Sequence, residues 1–281
     1  DHVIWTKPKP LILVLGKNSK TIQQEVQKFN NSYKRYFDRH NRRHGNTKIM
    51  RDSIPRVVLV PGHGLYGVGD TSVNAKIIAD IAEIWIEVIT AAESIGKFVP
   101  AKRNDIFDIE YWEPETAKLK ITETLPLKGQ VALITGGGSG IGKATANIFR
   151  KAGAEIVVLD RNAKTAKSVA DENSGLGLAV DVTDSGAVES AFRQVVSSYG
   201  GVDIVISNAG GAWQGEIGTV SDPVLRKSFE LNFFAHQTVA QNAVRVMRAQ
   251  NECGGIGGSI LFNTSKQAVN PGKNFDPTAF Q

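Results

Sequence analysis

The chain has 281 residues, with 33 Lys and Arg against 28 Asp and Glu, so its formal net charge is +5. This length allows one large domain or two smaller ones, and the composition is that of an ordinary globular protein. The single cysteine, Cys253, excludes an internal disulfide framework and favours a cytoplasmic location. No apolar run reaches the roughly 18 residues of a membrane span, and no signal-peptide pattern opens the chain.

The positive charge is concentrated at the N-terminus. Residues 1–56 contain 13 Lys and Arg against 4 Asp and Glu. Such a segment could attract nucleic acid, a membrane surface or a phosphorylated substrate. Aromatic residues do not alternate with the basic ones as they do in single-strand binders, so we interpret the segment as a solvated helix face. We expect a small-molecule substrate, and neither nucleic acid nor a membrane as a partner.

The first 120 residues contain two apolar runs that predict buried strands, at Leu11–Leu15 and Val57–Val60. A helix is predicted after each run. The first starts near Lys20 and repeats apolar residues every three or four positions. The second runs from a cap at Asp70 or Thr71 to about Ser94. An aromatic-rich stretch and a short helix over residues 114–119 complete this part.

Residues 121–128 are predicted to be a linker, and the pattern changes after them. Apolar runs then alternate with helical segments, which is typical of a parallel sheet covered on both faces. The predicted strands are Val131–Ile134, Ile156–Leu159, Leu178–Val180, Ile204–Ile206 and Ser259–Phe262. We therefore predict an α/β fold: a Rossmann-type doubly wound sheet at 129–281, incomplete at its C-terminus, after a smaller α/β part at 1–120.

The first of these strands runs into a glycine loop, Thr135-Gly136-Gly137-Gly138-Ser139-Gly140-Ile141-Gly142, and a helix follows. The succession of strand, glycine loop and helix is the context that a phosphate-binding loop requires. Glycine permits the tight turn and lets a pyrophosphate approach the backbone. The helix N-terminus offers unpaired N–H groups to it. The predicted cofactor contacts here are Gly136, Ser139, Gly140, Ile141 and Gly142.

Asp160 ends the second predicted strand, 24 residues after Gly136. An acidic residue at this place hydrogen-bonds the ribose hydroxyls of NAD and repels the 2′-phosphate of NADP. The sequence therefore predicts NAD as the cofactor. The neighbouring Arg161 points the other way, because a basic residue there can help to bind a 2′-phosphate. The alternative for Asp160 is a cap for the next helix.

Together these features resemble the short-chain dehydrogenase family. The motifs in chain order are Thr135-Gly136-x-x-x-Gly140-Ile141-Gly142, Asp181-Val182, Asn208-Ala209-Gly210, Leu231-Asn232 and Ser265. They agree in order and spacing over about 140 residues. Singly, each has a structural explanation: Asp181 as a loop residue, Asn232 as a helix kink and Ser265 as a strand-end turn.

The resemblance implies a role for each motif. Asp181 and Val182 would border the adenine, and Asn208, Ala209 and Gly210 would pack behind the cofactor. Asn232 would hold a proton-relay water. Ser265 would donate a hydrogen bond to the substrate carbonyl. The last two are the predicted catalytic residues.

The family also uses a tyrosine roughly 13 positions after the serine and a lysine four residues later. Here Thr278 stands at the tyrosine position, and the lysine would follow Gln281. An aliphatic hydroxyl has far too high a pKa to replace a phenol as general acid and base. We therefore expect this chain to bind NAD but to transfer hydride poorly. The alternatives are another sugar-alcohol dehydrogenase and a non-catalytic NAD-binding module.

The first half resembles the bifunctional rhamnulose-1-phosphate aldolase/alcohol dehydrogenases. The motifs are Arg56-Val57-Val58-Leu59-Val60-Pro61-Gly62, Phe107–Glu113, Ala117–Leu119, and Leu125-Pro126-Leu127-Lys128-Gly129 at the junction. In that family a class II, zinc-dependent aldolase domain precedes the dehydrogenase domain. The resemblance implies cleavage of rhamnulose 1-phosphate, oxidation of the resulting lactaldehyde to lactate, and a homo-oligomer at full length.

The same resemblance implies that this chain is a fragment, because the main zinc cluster of the family would lie upstream of Asp1. His2 is a candidate for a remaining zinc ligand, and His63 could contact substrate, although a surface turn is the favoured interpretation. His40 and His44, four residues apart, could bind a metal, but we interpret them as a solvated face. We predict no metal site in this chain, since zinc needs three or four convergent ligands.

Overall fold

The structure is a computed structural model that describes residues 2–14, 19–119, 125–213 and 219–265. The chain divides into two compact units, Asp1–Thr124 and Leu125–Gln281. The predicted tyrosine position, Thr278, lies outside the described residues, as does the first half of the predicted linker, residues 121–124. No helix in the described ranges combines the length and apolar character that crossing a membrane requires.

In the described part of the first unit, a small sheet has the strand order β1-β2-β3. β1 (Leu11–Ile12) runs parallel to β2 (Val57–Val60), and β2 pairs antiparallel with β3 (Gly64–Gly67). The sequence predicts β1 and β2 but not β3, whose residues Gly-Leu-Tyr-Gly lack an extended apolar run. A Cβ on Gly67 would lie 2.2 Å from the carbonyl oxygen of Ala75, so glycine is required where β3 meets the next helix.

The described residues of the first unit also contain five helices. They are α1 (Val3–Thr6), α2 (Ser19–Asn41), α3 (Ser72–Ile95), α4 (Arg103–Glu110) and α5 (Glu113–Thr116), and a 3-10 turn at Arg42–His44 follows α2. Thr71 caps α3, since its hydroxyl accepts a hydrogen bond from the Asn74 N–H at 3.1 Å. Ile78 and Ala82 of α3 pack on Val57, and this cluster forms the core beside the sheet.

A buried polar cluster joins α2 to α4; we call it the tyrosine–glutamate cluster. It consists of Tyr33, Tyr36, Glu110, Tyr111 and Lys7. The Glu110 carboxylate accepts hydrogen bonds from the hydroxyls of Tyr33 at 2.6 Å and Tyr36 at 3.1 Å. The Tyr33 and Tyr111 hydroxyls are 2.6 Å apart, and the Lys7 ammonium lies 3.8 Å from the centre of the Tyr33 ring. Burial raises the pKa of Glu110 and lowers that of Lys7 to about 8.

The interpretation of His40 and His44 as a solvated face is wrong for His40. The His40 ring is 6% exposed and stacks on Phe107 at 5.5 Å between ring centres. Burial, and the nearby Arg43 among other charges, lower its pKa. His44 is half-buried, and its Nε2 lies 2.9 Å from Asp108. Sequence spacing could not show this, because α4 covers one side of α2 only in the folded unit. Among the described residues, no group of three or more His, Cys, Asp or Glu is placed to hold a metal.

The tyrosine–glutamate cluster predicts an unusual pH dependence of stability. Between about pH 8 and the ordinary lysine pKa near 10.4, the unfolded state binds more protons at Lys7 than the folded state. The free energy of unfolding of the first unit should therefore rise with pH in this window. Above about pH 10 the free energy of unfolding should fall. The reason is that burial raises the pKa of Tyr111 to about 12 and also raises the pKa values of Tyr33 and Tyr36.

Urea unfolding across this pH range checks the expectation. Lys7→Met keeps the apolar stem and removes the ammonium, so the rise in stability above pH 8 should disappear while the fall above about pH 10 persists. A Lys7→Met chain with the same rise as the wild type would show that another group causes it.

The second unit contains the predicted doubly wound sheet. In its described residues five parallel strands have the order β6-β5-β4-β7-β8. The strands are β4 (Val131–Thr135), β5 (Glu155–Asp160), β6 (Leu176–Ala179), β7 (Ile204–Ser207) and β8 (Ser259–Phe262). The direction in which successive strands are added to the sheet reverses beside β4. In such sheets ligands bind at this point of reversal, outside the carboxyl ends of the strands. β6 begins two residues earlier than the predicted strand.

Helices cover both faces of the sheet. They are α6 (Gly140–Lys151), α7 (Ala163–Glu172), α8 (Ser185–Tyr199), α9 (Asp222–Phe229) and α10 (Ala235–Glu252). Alternate residues of β4 enter different cores. Val131 and Leu133 pack with side chains of α8 and α10. Ala132 and Ile134 pack with side chains of α6 and α7. This explains why β4 is buried along its whole length and reads as a continuous apolar run.

A π-helical segment at Glu230–Phe234 joins α9 to α10. In it the Ala235 N–H donates to the carbonyl of Glu230, one residue further back than in an α-helix. Single-turn π segments are rare and occur frequently at functional sites. Asn232 lies in this segment, so its position coincides with a local distortion of the helix.

Candidate active site

A cleft opens at the carboxyl ends of β4, β5 and β7, where the predicted site residues meet. All of them except Gly142 line it. The predicted residues on its walls are Gly136, Ser139, Gly140, Ile141, Asp160, Asp181, Val182, Asn208, Ala209, Gly210, Asn232 and Ser265. The fold thus brings together residues that are up to 129 positions apart in the sequence (136 to 265).

The first three glycines of the loop, Gly136, Gly137 and Gly138, have no room for side chains. Gly136 has a φ of +62°, and a Cβ there would lie 2.9 Å from the Ala209 Cα. A Cβ on Gly138 would lie 2.7 Å from a carboxylate oxygen of Asp160. Glycine therefore lets the loop pass closely between β5 and β7. This leaves the backbone itself exposed to a ligand in the cleft.

Helix α6 begins at Gly140, directly after the loop. The Ser139 side chain does not cap it, and among the described residues nothing accepts a hydrogen bond from the N–H groups of Gly140, Ile141 or Gly142. Free N–H groups and the helix dipole favour an anion at this end. Gly142 faces the loop instead of the cleft, and its Cβ would lie 2.3 Å from the Gly136 carbonyl oxygen. Gly142 therefore permits the close approach of α6 to the loop.

Asp160 lies at the end of β5 beside the loop. One carboxylate oxygen accepts a hydrogen bond from the Gly138 N–H at 3.0 Å, and the other accepts from the Asn162 N–H at 2.9 Å. The alternative role as a helix cap is wrong, because the Asn162 side chain caps α7 by accepting from the Lys164 and Thr165 N–H groups. Asp160 instead places a carboxylate on the cleft wall, where Arg161 also lies.

Asp181 and Val182 follow β6 on the same side of the cleft. The Asp181 carboxylate accepts hydrogen bonds from the Thr183 hydroxyl at 2.7 Å and the Thr183 N–H at 2.9 Å. These bonds, with the nearby charge of Arg161, hold the pKa of Asp181 below its usual value. Asp181 is thus an ordered loop residue as well as a cleft residue. Val182 is 6% exposed and contributes to the core under this wall.

The loop Ser207–Gly211, which we call the β7 loop, forms the opposite wall. The Thr135 hydroxyl accepts hydrogen bonds from the N–H groups of Asn208 at 2.9 Å and Ala209 at 3.0 Å. The Asn208 side chain donates to the Thr135 carbonyl at 3.0 Å. These contacts fasten the β7 loop to the glycine loop. The sequence analysis named Thr135 only as part of the glycine motif. In the structure its hydroxyl connects the β7 loop to the glycine loop.

The two predicted catalytic residues both lie on the cleft. The Asn232 side chain accepts from the Gly211 N–H at 2.9 Å and donates to the Gly211 carbonyl at 2.8 Å. It also donates to the Ser228 hydroxyl at 3.1 Å. Asn232 therefore ties the π-helical segment to the β7 loop. Ser265 follows β8 by three residues on the same cleft.

Several cleft residues were not predicted from the sequence. Asn263, two residues before Ser265, donates through its side chain to the Asn208 side-chain oxygen at 2.7 Å. The Lys227 ammonium lies 5.9 Å from the centre of the Trp213 ring. His236 lies 2.6 Å from the Ser207 hydroxyl. His236 follows Asn232 by four residues, a spacing that places two residues on the same face of a helix. This spacing was the only feature of the sequence that could have indicated His236 as a cleft residue.

Comparison with known families agrees with this geometry. Residues 130–277 match the family model described as short chain dehydrogenase. The chain belongs to the short-chain dehydrogenase family. Residues 1–119 match the model described as aldolase class II, second domain. The predicted fusion of a class II aldolase part to a short-chain dehydrogenase domain is therefore confirmed, as is the predicted fold class.

Individual relatives support the same assignment. The uncharacterized oxidoreductase YuxG of Bacillus subtilis is 34% identical over 293 residues, which cover 98% of this chain and 41% of that protein. A 7 alpha-hydroxysteroid dehydrogenase solved with NADH and 7-oxo glycochenodeoxycholic acid has a TM-score of 0.50 and 34% identity, covering 56% of this chain and 60% of that one.

A 3-ketoacyl-(acyl-carrier-protein) reductase from Brucella melitensis solved with NADH has a TM-score of 0.50 and 30% identity, and the match covers 52% of this chain and 61% of that one. This chain thus spans 41% of the length of the Bacillus subtilis protein, and the matched part spans about 60% of these two solved chains. The similarity to both solved chains exceeds a resemblance of fold alone.

Proposed function

We propose that the cleft binds NAD as the cofactor of an oxidoreductase. The observation that carries the proposal is the glycine loop: Gly136, Gly137 and Gly138 leave no room for side chains, and the free N–H groups of Gly140 and Ile141 follow on the cleft. A pyrophosphate fits such a cradle because it needs close approach and positive potential. The NADH present in the two related solved structures supports the same proposal.

The chain's own residues suit the parts of this cofactor. Gly136, Ser139 and the first turn of α6 would hold the pyrophosphate, and Asp160 would accept hydrogen bonds from the adenosine ribose. Asp181 and Val182 would border the adenine. When bound, the nicotinamide ring of the cofactor accepts or donates a hydride. The role of the protein is to fix the cofactor beside the substrate and to stabilise the substrate oxygen.

Ser265 would donate a hydrogen bond to the substrate oxygen at the end of β8, and Asn232 would hold the π-helical segment, and a water there, against the β7 loop. The side chain of Thr278 is not a phenol. We therefore propose that this chain binds the cofactor but transfers hydride slowly. Nucleotide binding is thus the activity that the described geometry supports best.

Asp160 and Asp181 favour NAD over NADP in this proposal. A 2′-phosphate bound next to Asp160 would meet a second negative charge, which is unfavourable at short range. Arg161 is the residue that could reverse the preference. Its charge already acts on Asp181, whose pKa it helps to lower. The positive charge is therefore partly balanced before any ligand binds.

For the substrate we propose a small hydroxy-aldehyde or alcohol, with lactaldehyde as the leading candidate. The support is the aldolase class II match at residues 1–119, because an aldol cleavage releases small aldehydes that a fused dehydrogenase could oxidise. Cleavage of rhamnulose 1-phosphate with zinc, self-association and a cytoplasmic location are proposals for the full-length protein. The alternatives are another sugar-alcohol substrate and a non-catalytic binding module.

Asp160→Ser should change the cofactor preference. Removing the carboxylate eliminates both the ribose hydrogen bond and the repulsion of a 2′-phosphate, so we expect NADH affinity to fall about tenfold and NADPH affinity to rise about tenfold. Nicotinamide fluorescence titration of the purified chain with each cofactor measures both. Asp171→Ser, on the exposed face of α7, is the matched control and should change neither.

Titration of the unaltered chain tests the proposal itself. Measurable binding of NADH with weaker binding of NADPH is the expected result. Absence of NADH binding up to millimolar concentrations would exclude NAD as the cofactor. Equal affinity for both cofactors would contradict the role of Asp160 while leaving nucleotide binding intact.

A further inference from the structure

His236 is a titratable group of the cleft that has no part in the proposed function. It occupies the second position of α10, half-buried, on the wall of the cleft. Its Nδ1 lies 2.6 Å from the hydroxyl of Ser207, a residue that is only 1% exposed. The backbone carbonyl of Ala209 also lies near the ring and acts to raise the pKa of His236. One imidazole therefore contacts the β7 loop on both sides of Asn208.

The remaining contacts of the β7 loop show what the contacts of His236 add. Thr135 holds Asn208 and Ala209 from the glycine-loop side. From β8, the Asn263 N–H donates to the Ser207 carbonyl at 3.0 Å. From the π-helical segment, Asn232 holds Gly211. His236 supplies the contact from α10, one helical turn after Asn232, so these two residues hold successive parts of the loop against one helix.

We propose that His236 is a positioning residue that, in its neutral form, holds the β7 loop in the shape that binds the cofactor. This inference rests on the proposed binding of a nicotinamide dinucleotide. A neutral imidazole has one donor and one acceptor, which match the Ala209 carbonyl and the Ser207 hydroxyl proton. An imidazolium has two donors and no acceptor, so the Ser207 hydroxyl would lose the partner for its proton.

The surroundings of His236 also disfavour the charged form. Burial lowers the pKa of His236, and the nearby Ala209 carbonyl opposes this in part. No charged side chain of the described residues adds to the lowering or the raising of this pKa. Charged groups on the elements packed against α10 are engaged elsewhere. Glu189 of α8 pairs with Arg193 and Arg245, and Asp203 before β7 accepts from the Val131 N–H. β8 has no charged residue, and Glu230 of the π-helical segment lies on the cleft without affecting the pKa of His236.

The sign of the pH effect follows from these surroundings. Because the pKa of His236 is lowered when the β7 loop is held as described, the neutral form favours this arrangement of the loop. The stabilisation is therefore lost as pH falls through the lowered pKa. Between about pH 7.5 and about pH 5 we therefore expect the NADH affinity of the wild-type chain to fall, by about tenfold. The cofactor has no group of its own that explains a difference between variants.

The experiment compares NADH titrations of the wild-type chain and of His236→Gln over this pH range. Glutamine offers a donor and an acceptor but does not titrate. We expect near wild-type affinity at pH 7.5 and a profile that stays within about threefold down to pH 5. His236→Phe keeps a ring without polar atoms and should lose about tenfold at all pH values. His63→Gln, an exposed histidine in the β2–β3 hairpin, is the matched control and should keep the wild-type profile.

Far-UV circular dichroism of each variant confirms that it is folded before titration. If wild type and His236→Gln bind NADH at pH 7.5 and lose affinity equally on acidification, the inference about His236 is wrong and the cofactor proposal stands. If the wild-type chain binds no NADH at any pH, the cofactor proposal fails and this inference fails with it.

Discussion

Gly142→Ala is expected to abolish NADH binding. The added Cβ would lie 2.3 Å from the Gly136 carbonyl oxygen and 2.8 Å from the Asn208 side-chain nitrogen. Both belong to parts of the structure that have little freedom, since backbone and a hydrogen-bonded amide cannot move aside as a flexible side chain can. Helix α6 must therefore shift away from the loop. The shift would displace the N–H groups that form the anion site.

Hydrogen bonds from these N–H groups to a pyrophosphate would then be long or misaligned, and such bonds are weak. Overpacking of this kind also destabilises a domain by about 1–3 kcal/mol. NADH fluorescence titration and thermal unfolding of the same sample measure the two effects. We expect loss of detectable binding and a lower unfolding temperature of the second unit.

Gly200→Ala provides the matched control for this prediction. Gly200 ends α8 with a φ of +83°, and no atom lies within 4 Å of its added Cβ. Its substitution should cost about 1 kcal/mol through backbone strain and leave NADH affinity unchanged. Wild-type affinity in Gly142→Ala would show that α6 can retreat without disturbing the anion site.

Glu110→Ala should be the most destabilising single change in the first unit. Glu110 is 1% exposed, and its carboxylate accepts hydrogen bonds from Tyr33 and Tyr36. Alanine would remove the carboxylate that accepts from both hydroxyls and create a cavity between α2 and α4. Lys7, 7% exposed, would lose the attraction of this carboxylate. Breaking a buried charged network by removing one member costs about 3–5 kcal/mol.

Urea unfolding measures the loss, and hydrogen exchange assigns it to α2 and α4. Glu110→Gln keeps the shape and one acceptor, so we expect a smaller loss of about 1–2 kcal/mol. Glu113→Ala is the control, because its side chain is 91% exposed and pairs weakly with Lys48 at 3.7 Å. It should change stability by less than about 0.5 kcal/mol. A loss below that value in Glu110→Ala would mean that water replaces the carboxylate.

The second unit could be predicted from the sequence in most respects, for a physical reason. β4 and β5 are buried on both faces, and strands of this kind can be recognised in the sequence as nearly continuous apolar runs. The glycine loop is equally local, since strand, turn and helix succeed each other within about a dozen residues. Fold class, family and the position of the cleft followed from such local patterns.

The first unit was less predictable because its contacts are distant. β3 is four residues long with glycine at both ends, and only its pairing with β2 makes it a strand. His40 was interpreted as solvated because its neighbours in the sequence are basic. Phe107, which covers it, is 67 residues away (107 − 40). Such a contact leaves no trace in the periodicity of α2.

The sequence by itself determined the glycine loop, Asp160 and the succession of strands and helices, because short-range sterics and burial dictate residue type at those places. Only the tertiary structure decided the roles of Asn263 and His236. Asn263 meets Asn208 across 55 residues, and His236 meets Ser207 across 29. Polar contacts of this kind depend on atoms within 3 Å of each other, and residue type alone does not encode that distance. The sheet positions the β7 loop, but a side chain of α10 and one that directly follows β8 determine how the loop is held.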